Sequence, residues 1–201
     1  KENKIKCYYG EPDDVLVRLL RAADEYNLDY ILNITADCPF VDPEYADIMV
    51  EEFIKTGADL IRQFDLPHGV FSYGIKVDAL RKVVNIKDSS DTEVWGRYFT
   101  DTGLFKVIDL EVENKNHIRP GLRMTLDYPE DLVFFKAIFD VLYEENKVFS
   151  LSAILEFLDA HPEIIEINKD CGLKFNKRFI SQSEPRLKKI IKVKTALIIG
   201  A

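Results

Sequence analysis

The chain of 201 residues has few cysteines and no long apolar run. Its three cysteines, Cys7, Cys38 and Cys171, form no CxxC motif and no even set, which argues against a disulfide framework and favours a reducing cytosol. No apolar stretch approaches the length of a transmembrane span, and residues 1–4 do not resemble a signal peptide. We therefore expect a cytoplasmic protein with no membrane partner.

Basic residues are in the minority, with 27 Lys and Arg against 35 Asp and Glu and a formal net charge of -8. A protein that neutralises nucleic-acid phosphates needs a positively charged surface, so we expect no nucleic-acid partner. If an acidic protein of this kind binds a phosphorylated small molecule, we expect it to recruit a cation for the phosphates. Hydrophobic residues make up 47% of the chain, which suffices for the sizeable core of a globular domain.

The chain does contain an apolar, β-branched stretch that ends abruptly in an acid. Residues 31–36 are too short for an amphipathic helix and favour a buried strand, after which Asp37 stands before Cys38 and Pro39. Because Pro39 disfavours a helical backbone at Cys38, the chain cannot run directly into a helix there. Ligands of open α/β sheets bind outside the carboxyl ends of strands, so the pattern places Asp37 at a candidate site.

A second predicted strand, residues 122–127, also ends in an acid. Asp127 is followed within two residues by Pro129. If the two strands are parallel, Asp37 and Asp127 reach the same edge of the sheet, and two carboxylates suit Mg²⁺, which completes its shell with water and phosphate oxygens. The alternative from spacing alone is that each acid caps the helix that follows it.

The apolar patterns along the chain predict an alternation of strands and helices. Strands are predicted over 5–9, 31–37, 58–64, 70–77, 104–111 and 122–127. Helices are predicted after 11–14, from Asp42 to near Gly57, over 94–100 behind a capping box at 90–93, after Tyr128, and from Ser150 to Pro162. A strand, a helix and a strand in succession predict βαβ units, hence an α/β fold with a mostly parallel sheet.

Three motifs carry a resemblance to a known family: residues 10–18 (GEPDDVLVR), 33–43 (NITADCPFVDP) and 122–132 (LRMTLDYPEDL). In this order they resemble the cytidylyltransferases of the spore-coat polysaccharide type, which are related to the CMP-Kdo and CMP-sialic acid (acylneuraminate) synthetases. The resemblance covers roughly residues 5–160 and implies a three-layer α/β/α nucleotide-diphosphosugar-transferase fold, Rossmann-like and GT-A-like. It also implies Mg²⁺-dependent transfer of CMP from CTP to an acidic or related sugar acceptor, with release of pyrophosphate. Asp37 and Asp127 fall on the family's metal-binding aspartates.

Four further residues are candidate substrate contacts. Arg18 and Arg123 carry guanidinium groups that match phosphate or carboxylate oxygens, although a surface ion pair explains Arg18 equally well. His68 lies where the family carries a sugar-facing loop, and a solvated turn histidine is its alternative. Asn33 lies on the strand that leads to Asp37, and core hydrogen bonding is the simpler explanation for it.

The chain also departs from the family. The family begins with a strand and a basic Gly/Ser-rich loop that grips the nucleotide, and this sequence opens after them, so we expect an N-terminally incomplete fold and an inactive fragment. Tyr73 replaces an acid that is frequent in the family, and residues 91–97 diverge from the family's pattern.

A catalytically silent nucleotide-binding or scaffold domain of a bifunctional protein is therefore the alternative function. A glycosyltransferase of the same broad fold ranks last, because no DxD motif follows a predicted strand.

The expected domain organisation has three parts. Residues 1–175 form the cytidylyltransferase-like domain, residues 176–194 a basic linker or tail, and residues 195–201 the start of a truncated second Rossmann-like domain. The protein is expected to be fused to a second enzyme domain there. By the same resemblance we expect a homodimer.

Overall fold

A computed structural model describes residues 5–182 and 184–188. The strands are β1 (Tyr30–Asn33), β2 (Leu60–Arg62), β3 (Tyr73–Lys76) and β4 (Val107–Asp109). The helices are α1 (Val15–Glu25), α2 (Pro43–Thr56), α3 (Val77–Ile86), α4 (Arg97–Thr100), α5 (Pro129–Leu142), α6 (Leu151–Ala160), α7 (Pro162–Ile165) and α8 (Cys171–Gln182), with a 3₁₀ helix at Lys115–His117. None of the helices in these residues is both long enough and apolar enough to cross a membrane.

The four strands form one mixed sheet in the order β1-β3-β2-β4. Strand β3 runs antiparallel to β1 and to β2, whereas β2 and β4 are parallel. Three of the four strands, β1, β2 and β4, therefore point in one direction, as the predicted mostly parallel sheet requires, and the reversal of β3 is the exception. Its physical cause is the connection from β2 to β3, which contains no crossover helix, so the chain turns back and pairs beside the strand it has just left. Strands β1 and β2, which α2 connects, do point in the same direction.

Helices cover both faces of the sheet, as the predicted three-layer α/β/α fold requires. Successive residues of β2 show this, because Leu60 packs into one core and Ile61 into the other. The core on the Leu60 side is completed by α1, α3 and α4, with Leu16, Leu20, Leu80, Val83 and Phe99. The core on the Ile61 side is completed by α2, α5 and α6, with Met49, Phe134, Ile138, Ile154 and Leu158.

Helix α2 begins and ends where the sequence predicts. Asp42 is its N-cap, and its Oδ1 accepts hydrogen bonds from the amides of Glu44 (2.8 Å) and Tyr45 (3.4 Å). Gly57 closes the helix in the left-handed conformation, with φ of 60°. Asp42 Oδ2 also lies 3.3 Å from the amide of Leu151, so one buried carboxylate ties the start of α2 to the start of α6.

We expect Asp42→Ala to lower the free energy of unfolding by about 2 kcal/mol, because it removes a helix cap and leaves the Leu151 amide without its acceptor. Urea denaturation followed by circular dichroism measures this loss. Ser150→Ala is the matched control, since Ser150 caps α6 alone through the Ala153 amide, and we expect it to cost about 1 kcal/mol. Equal losses in the two variants would contradict the shared role of Asp42.

The predicted elements at residues 5–9 and 94–100 differ from the structure. Residues 5–9 form no strand, and Ile5 and Tyr9 are 74% and 93% exposed, because no described strand covers them. The capping box at 90–93 does not start a helix at residue 94, and α4 begins only at Arg97. The hydroxyl of Thr92 is instead buried against α1, where it accepts from the Leu16 amide and donates to Asp14.

The predicted basic linker begins inside a helix. Helix α8 runs through the expected boundary at residues 175 and 176, so the first residues of this segment are helical, and the division into domains stays a prediction. Beyond it, Leu187 forms an antiparallel bridge with Lys87, and the Lys188 amide donates to the carbonyl of Ile86 at 2.8 Å. The described part of this segment thus contacts the end of α3. Residues 195–201, where a second domain was predicted to start, lie outside the described residues.

Candidate functional site

Three segments of the chain meet beyond the end of β1: the loop after β1, the turn between β2 and β3, and residues 122–127, which we call the central segment. The amide of Leu126 donates to the carbonyl oxygen of Asp37 at 2.8 Å. On the other side, the amide of Met124 donates to the carbonyl oxygen of His68 at 2.6 Å. The central segment is therefore held between the loop and the turn.

The central segment is extended but is not the strand that the sequence predicts. Its only regular pairing in the described residues is a single parallel bridge between Arg123 and His68. Because its amides donate to two different segments, it builds no continuous ladder with either of them. The expectation of two parallel strands that both end in acids is therefore wrong, although both acids still reach one place.

Gly69 allows the turn to approach the central segment closely. Its φ is 101°, a left-handed conformation that glycine adopts without strain. A Cβ at this position would lie 2.1 Å from the carbonyl oxygen of Met124, well inside van der Waals contact. A glycine is thus required for His68 to pair with the central segment.

Asp37 and Asp127, which we call the acid pair, lie around one buried hydroxyl group. Thr125 Oγ1 is 3.4 Å from Asp37 Oδ2 and 3.3 Å from Asp127 Oδ2, and Thr125 is 2% exposed. The two carboxylate oxygens can lie no further apart than the sum of these two distances. Since the hydroxyl has one proton, it can donate to one carboxylate at a time. The structure therefore brings together two acids that are far apart in the sequence.

Other acids do the capping that was the alternative role for this pair. Helix α2 is capped by Asp42, as described above. At the start of α5, the amides of Asp127 and Tyr128 each donate to Asp131 Oδ2 at 3.0 Å. Among the hydrogen bonds of the described residues, the side chains of Asp37 and Asp127 accept none from a helix start. The geometry thus favours a ligand role over a capping role for both.

A buried cation and a second carboxylate lie directly behind Asp127. Arg123 is 5% exposed, and its Nη2 donates to Asp127 Oδ2 at 2.5 Å. The same guanidinium reaches both oxygens of Asp131, with Nε and Nη2 each at 3.1 Å. Asp131 is fully buried and also accepts from Asn168 Nδ2 at 2.9 Å. A single connected network therefore holds one member of the acid pair.

The network lowers the pKa of Asp131 below its usual range. Burial acts in the opposite direction and is the largest single influence. The hydrogen bond from Arg123, those from two main-chain amides and that from Asn168 together outweigh it. Asp131 is therefore ionised and balances the charge of the guanidinium.

Sequence reasoning did not identify Asp131 or Asn168 as parts of the site. Asp131 matches an ordinary first-turn acid of a helix, so its pattern carried no signal beyond capping. Asn168 lies between α7 and α8, outside the three motifs. Its 2% exposure, which decides its importance, is a property of the folded chain.

His68 faces this cluster of charges. Its ring lies 5.0 Å from the ring of Phe175 in α8, measured between centroids. His68 keeps an exposed surface, but the groups packed around its ring partly desolvate the imidazole and lower its pKa, and the positive charge of Arg123 acts in the same direction. Nearby acids including Asp127 and Asp37 oppose this effect only in part. The side chain is neutral near pH 7 and can accept or donate a hydrogen bond toward a substrate.

We expect the imidazole of His68 to titrate below its ordinary pKa of 6.5. Because the pKa of His68 is lower in the folded protein than in the unfolded chain, protonation favours the unfolded chain. The free energy of unfolding is therefore unaffected by His68 well above pH 6.5, and it decreases as the pH falls below that value. An NMR titration of labelled imidazoles measures the midpoint, and the spectrum of His68→Gln assigns the signal. A midpoint above the ordinary value would contradict the lowering of the pKa by partial desolvation and by the charge of Arg123.

The other two predicted contacts stand apart from this cluster. Arg18 Nη1 donates to the carbonyl oxygens of Glu11 and Pro12, at 2.5 and 2.8 Å, and so secures the loop before α1. Asn33 is the last residue of β1 and pairs in register with Tyr73 of β3. Its position leads into the loop that carries Asp37. Their roles as substrate contacts stay predictions.

The acid pair suits a hard divalent cation. No group of three or more His, Cys, Asp or Glu side chains that could hold a metal ion occurs in residues 5–182 and 184–188. Mg²⁺ is commonly held by one or two carboxylates, with the remaining positions taken by water and phosphate oxygens. Two carboxylates around one hydroxyl fit that pattern, and Asp37 and Asp127 would hold the ion.

An apolar cavity lies between the loop after β1 and the start of α6. Its volume is about 190 Å³, and residues 39–43 together with the end of α5 and the start of α6 line it. The acid pair does not line this cavity. Its walls carry Phe40, Phe139 and Phe149, so it belongs to the packing of α5 rather than to the charged site.

Comparisons with known proteins agree with the three motifs. The chain is 25% identical over 161 residues to the spore coat polysaccharide biosynthesis protein SpsF of Bacillus subtilis (strain 168), across 79% of this chain. It spans 66% of the length of that relative, just under two thirds. A solved cytidylyltransferase from Leptospira borgpetersenii serovar Hardjo-bovis (strain JB197) shares its fold, with a TM-score of 0.72 and 24% identity over 82% of this chain and 70% of that one. No family model matches the chain.

These similarities confirm two expectations from the sequence. The resemblance to cytidylyltransferases of the spore-coat polysaccharide type is confirmed by the similarity to SpsF and to the solved enzyme. The α/β fold class is confirmed by the structural match.

Proposed function

We propose that this chain is part of a cytidylyltransferase that transfers CMP from CTP to an acidic sugar, with release of pyrophosphate, in the synthesis of a surface polysaccharide or glycan. The proposal includes Mg²⁺ as the metal and a cytoplasmic location. Its single strongest support is the position of Asp37 and Asp127 around the hydroxyl of Thr125. Its second support is the fold, which is that of a cytidylyltransferase.

The chemistry of nucleotidyl transfer suits such a site. Transfer to a sugar hydroxyl requires the hydroxyl and the α-phosphorus to be held in line, and it requires stabilisation of negative charge on the phosphates. Mg²⁺, when bound, supplies that charge stabilisation and orients the phosphate oxygens. The protein's part is to present the two carboxylates in a fixed geometry, which Thr125 and the network behind Asp127 do.

The remaining candidate residues have separate roles in this proposal. His68 is neutral and close to the acid pair, so it can form a hydrogen bond with the sugar. Arg18 and Asn33 are proposed to contact the nucleotide or the sugar, although Arg18 holds the loop before α1 in this structure. Each of these contacts is separable from metal binding, because none of these three side chains belongs to the acid pair.

Pyrophosphate release by the full-length protein tests the proposal. The protein is incubated with Mg²⁺, one nucleoside triphosphate and a panel of acidic and neutral sugars. We expect release that requires CTP and an acidic sugar, together with a CMP-sugar detected by mass spectrometry. ATP, GTP and UTP serve as matched controls. Absence of any CMP-sugar across the panel would favour the alternative, a catalytically silent nucleotide-binding or scaffold domain.

The assembly of the protein is a separate proposal. We propose a homodimer, from the family resemblance, and a second enzyme domain beyond residue 194, from the apolar pattern of residues 195–200, which is typical of the first strand of a Rossmann-like domain. Sedimentation of the full-length protein measures the first, and a monomer across micromolar concentrations would remove it. Neither outcome bears on the chemistry at the acid pair.

A further inference from the structure

We propose that Arg123 is a positioning residue, which Asp131 and Asn168 lock in place so that it fixes the carboxylate of Asp127 for metal binding. The inference rests on the proposed function, because it assigns Asp127 to a metal. It differs from the sequence-based expectation, in which Arg123 contacts a phosphate or a sugar carboxylate directly. Four observations carry it.

The first observation is that Arg123 faces inward. Its exposure is 5%, and its Nη1 is buried with no hydrogen-bond partner among the residues that the structure describes. The rings of Tyr128 and Phe175 lie 5.5 and 5.3 Å from the guanidinium carbon, measured to their centroids. A side chain enclosed in this way does not extend toward a substrate in solvent. Its contacts with charge are the two carboxylates already described.

The second observation is the geometry of those contacts. Nε and Nη2 of Arg123 form a two-pronged contact with Asp131, which fixes the plane of the guanidinium. Nη2 also donates to Asp127 Oδ2. The orientation of the Asp127 carboxylate is thus set by a rigid group behind it.

The third observation is how firmly Asp131 is held. It lies on the first turn of α5, is fully buried, and accepts from the amides of Asp127 and Tyr128. The first of these amides belongs to Asp127 itself, and the second belongs to the next residue in the chain. Asp131 therefore fixes both the backbone of Asp127 and, through Arg123, its side chain.

The fourth observation is that a distant segment completes the arrangement. Asn168 Nδ2 donates to Asp131 Oδ1 at 2.9 Å and lies 3.3 Å from the carbonyl oxygen of Arg123. Asn168 follows α7, whereas Asp127 precedes α5. The segment before α8 thus buttresses the acid pair without touching it.

The consequence concerns one oxygen. Arg123 and Thr125 both reach Oδ2 of Asp127, so, as far as the described part of the chain shows, Oδ1 is the oxygen that remains for a ligand. Groups that orient metal-binding carboxylates in this way typically contribute about 10- to 100-fold to metal affinity. Loss of the orienting group should therefore weaken metal binding even in a folded protein.

The test measures divalent-cation binding directly, without turnover. Mn²⁺ binding to the full-length protein is measured by isothermal titration calorimetry for wild type, Arg123→Lys and Asn168→Ala. Arg123→Lys keeps the charge but loses the two-pronged contact. Asn168→Ala leaves Arg123 in place and removes only its support. Arg81→Lys is the matched control, because Arg81 makes a two-pronged contact with Asp24 on the surface.

We expect Arg123→Lys to weaken Mn²⁺ binding about tenfold and Asn168→Ala severalfold, with Arg81→Lys unchanged. Circular dichroism establishes that each variant is folded, and Asn168→Ala keeps the inference testable if Arg123→Lys does not fold. Unchanged affinity in folded variants would overturn the inference, since Arg123 would then serve stability alone. Tighter binding would also overturn it, because Arg123 would then compete with the metal.

A crystal structure of Arg123→Lys separates this inference from the proposed function. If wild type binds no Mn²⁺, the proposed metal is refuted, yet the position of the Asp127 carboxylate still decides the role of Arg123. Displacement of that carboxylate from the hydroxyl of Thr125 supports positioning by Arg123. An unmoved carboxylate refutes it.

Discussion

Asp37→Asn and Asp127→Asn are each expected to lower kcat/KM for CMP transfer by about 10²- to 10³-fold, the range observed when one preorganised charge-stabilising group is removed. Asparagine keeps the size of the side chain and removes the negative charge that a hard cation requires. Initial rates of pyrophosphate release by the full-length protein, measured over a range of Mg²⁺ concentrations, give the effect.

The two acids should act as one unit. Because they are proposed to hold the same ion, the double variant is expected to be little worse than either single variant, and the effects should not add. Asp109→Asn is the matched control, since Asp109 is an exposed acid paired with Arg62 across β2 and β4. Full additivity, or normal activity in either single variant, would contradict a shared site.

Asp131→Ala should be the most destabilising substitution at the site, with an expected loss of about 3–5 kcal/mol in the free energy of unfolding. It leaves the buried guanidinium of Arg123 with only Asp127 as a partner, and it leaves main-chain amides at the start of α5 without their acceptor. Urea denaturation followed by circular dichroism measures the loss. Asp109→Ala removes an exposed Arg–Asp pair and should cost less than about 1 kcal/mol.

The same residue predicts how stability depends on pH. The folded pKa of Asp131 is lowered from its ordinary value of 3.8, so its stabilisation is present above that value and is lost as the pH falls toward the folded pKa. Wild type should therefore lose stability more steeply than Asp131→Ala as the pH falls below about 3.8. Parallel pH profiles for the two proteins would contradict an ionised, hydrogen-bonded Asp131.

Helix starts and ends were predictable because they depend on neighbours in the chain. Asp42 before Pro43 and Gly57 at the end of α2 are local signals, and the structure places the N-cap and the C-cap at those residues. The acid at residue 37 was identified in the same way, from a β-branched stretch that breaks before Cys38-Pro39. Its function still depends on what lies beside it.

Pairing between segments was not predictable to the same degree. The patterns at 70–77 and 122–127 both favour strands, yet the first contributes only β3 and the second has a single bridge. Neither pattern predicts which segment supplies the carbonyl oxygens that accept hydrogen bonds from its amides. The position of β3 between β1 and β2 follows from the path of the turn that contains Gly69, which packs against the carbonyl of Met124.

The amino-acid sequence alone determined the class of fold, the caps of α2, and the two acids and three motifs that point to cytidylyltransferases. Only the tertiary structure decided that Thr125 lies between these acids, that Arg123 faces inward, and that Asn168 supports Asp131. The physical reason is the distance along the chain over which each interaction acts. Periodicity and capping act over a few neighbouring residues, whereas burial and hydrogen bonding of charged groups depend on segments brought together from across the chain.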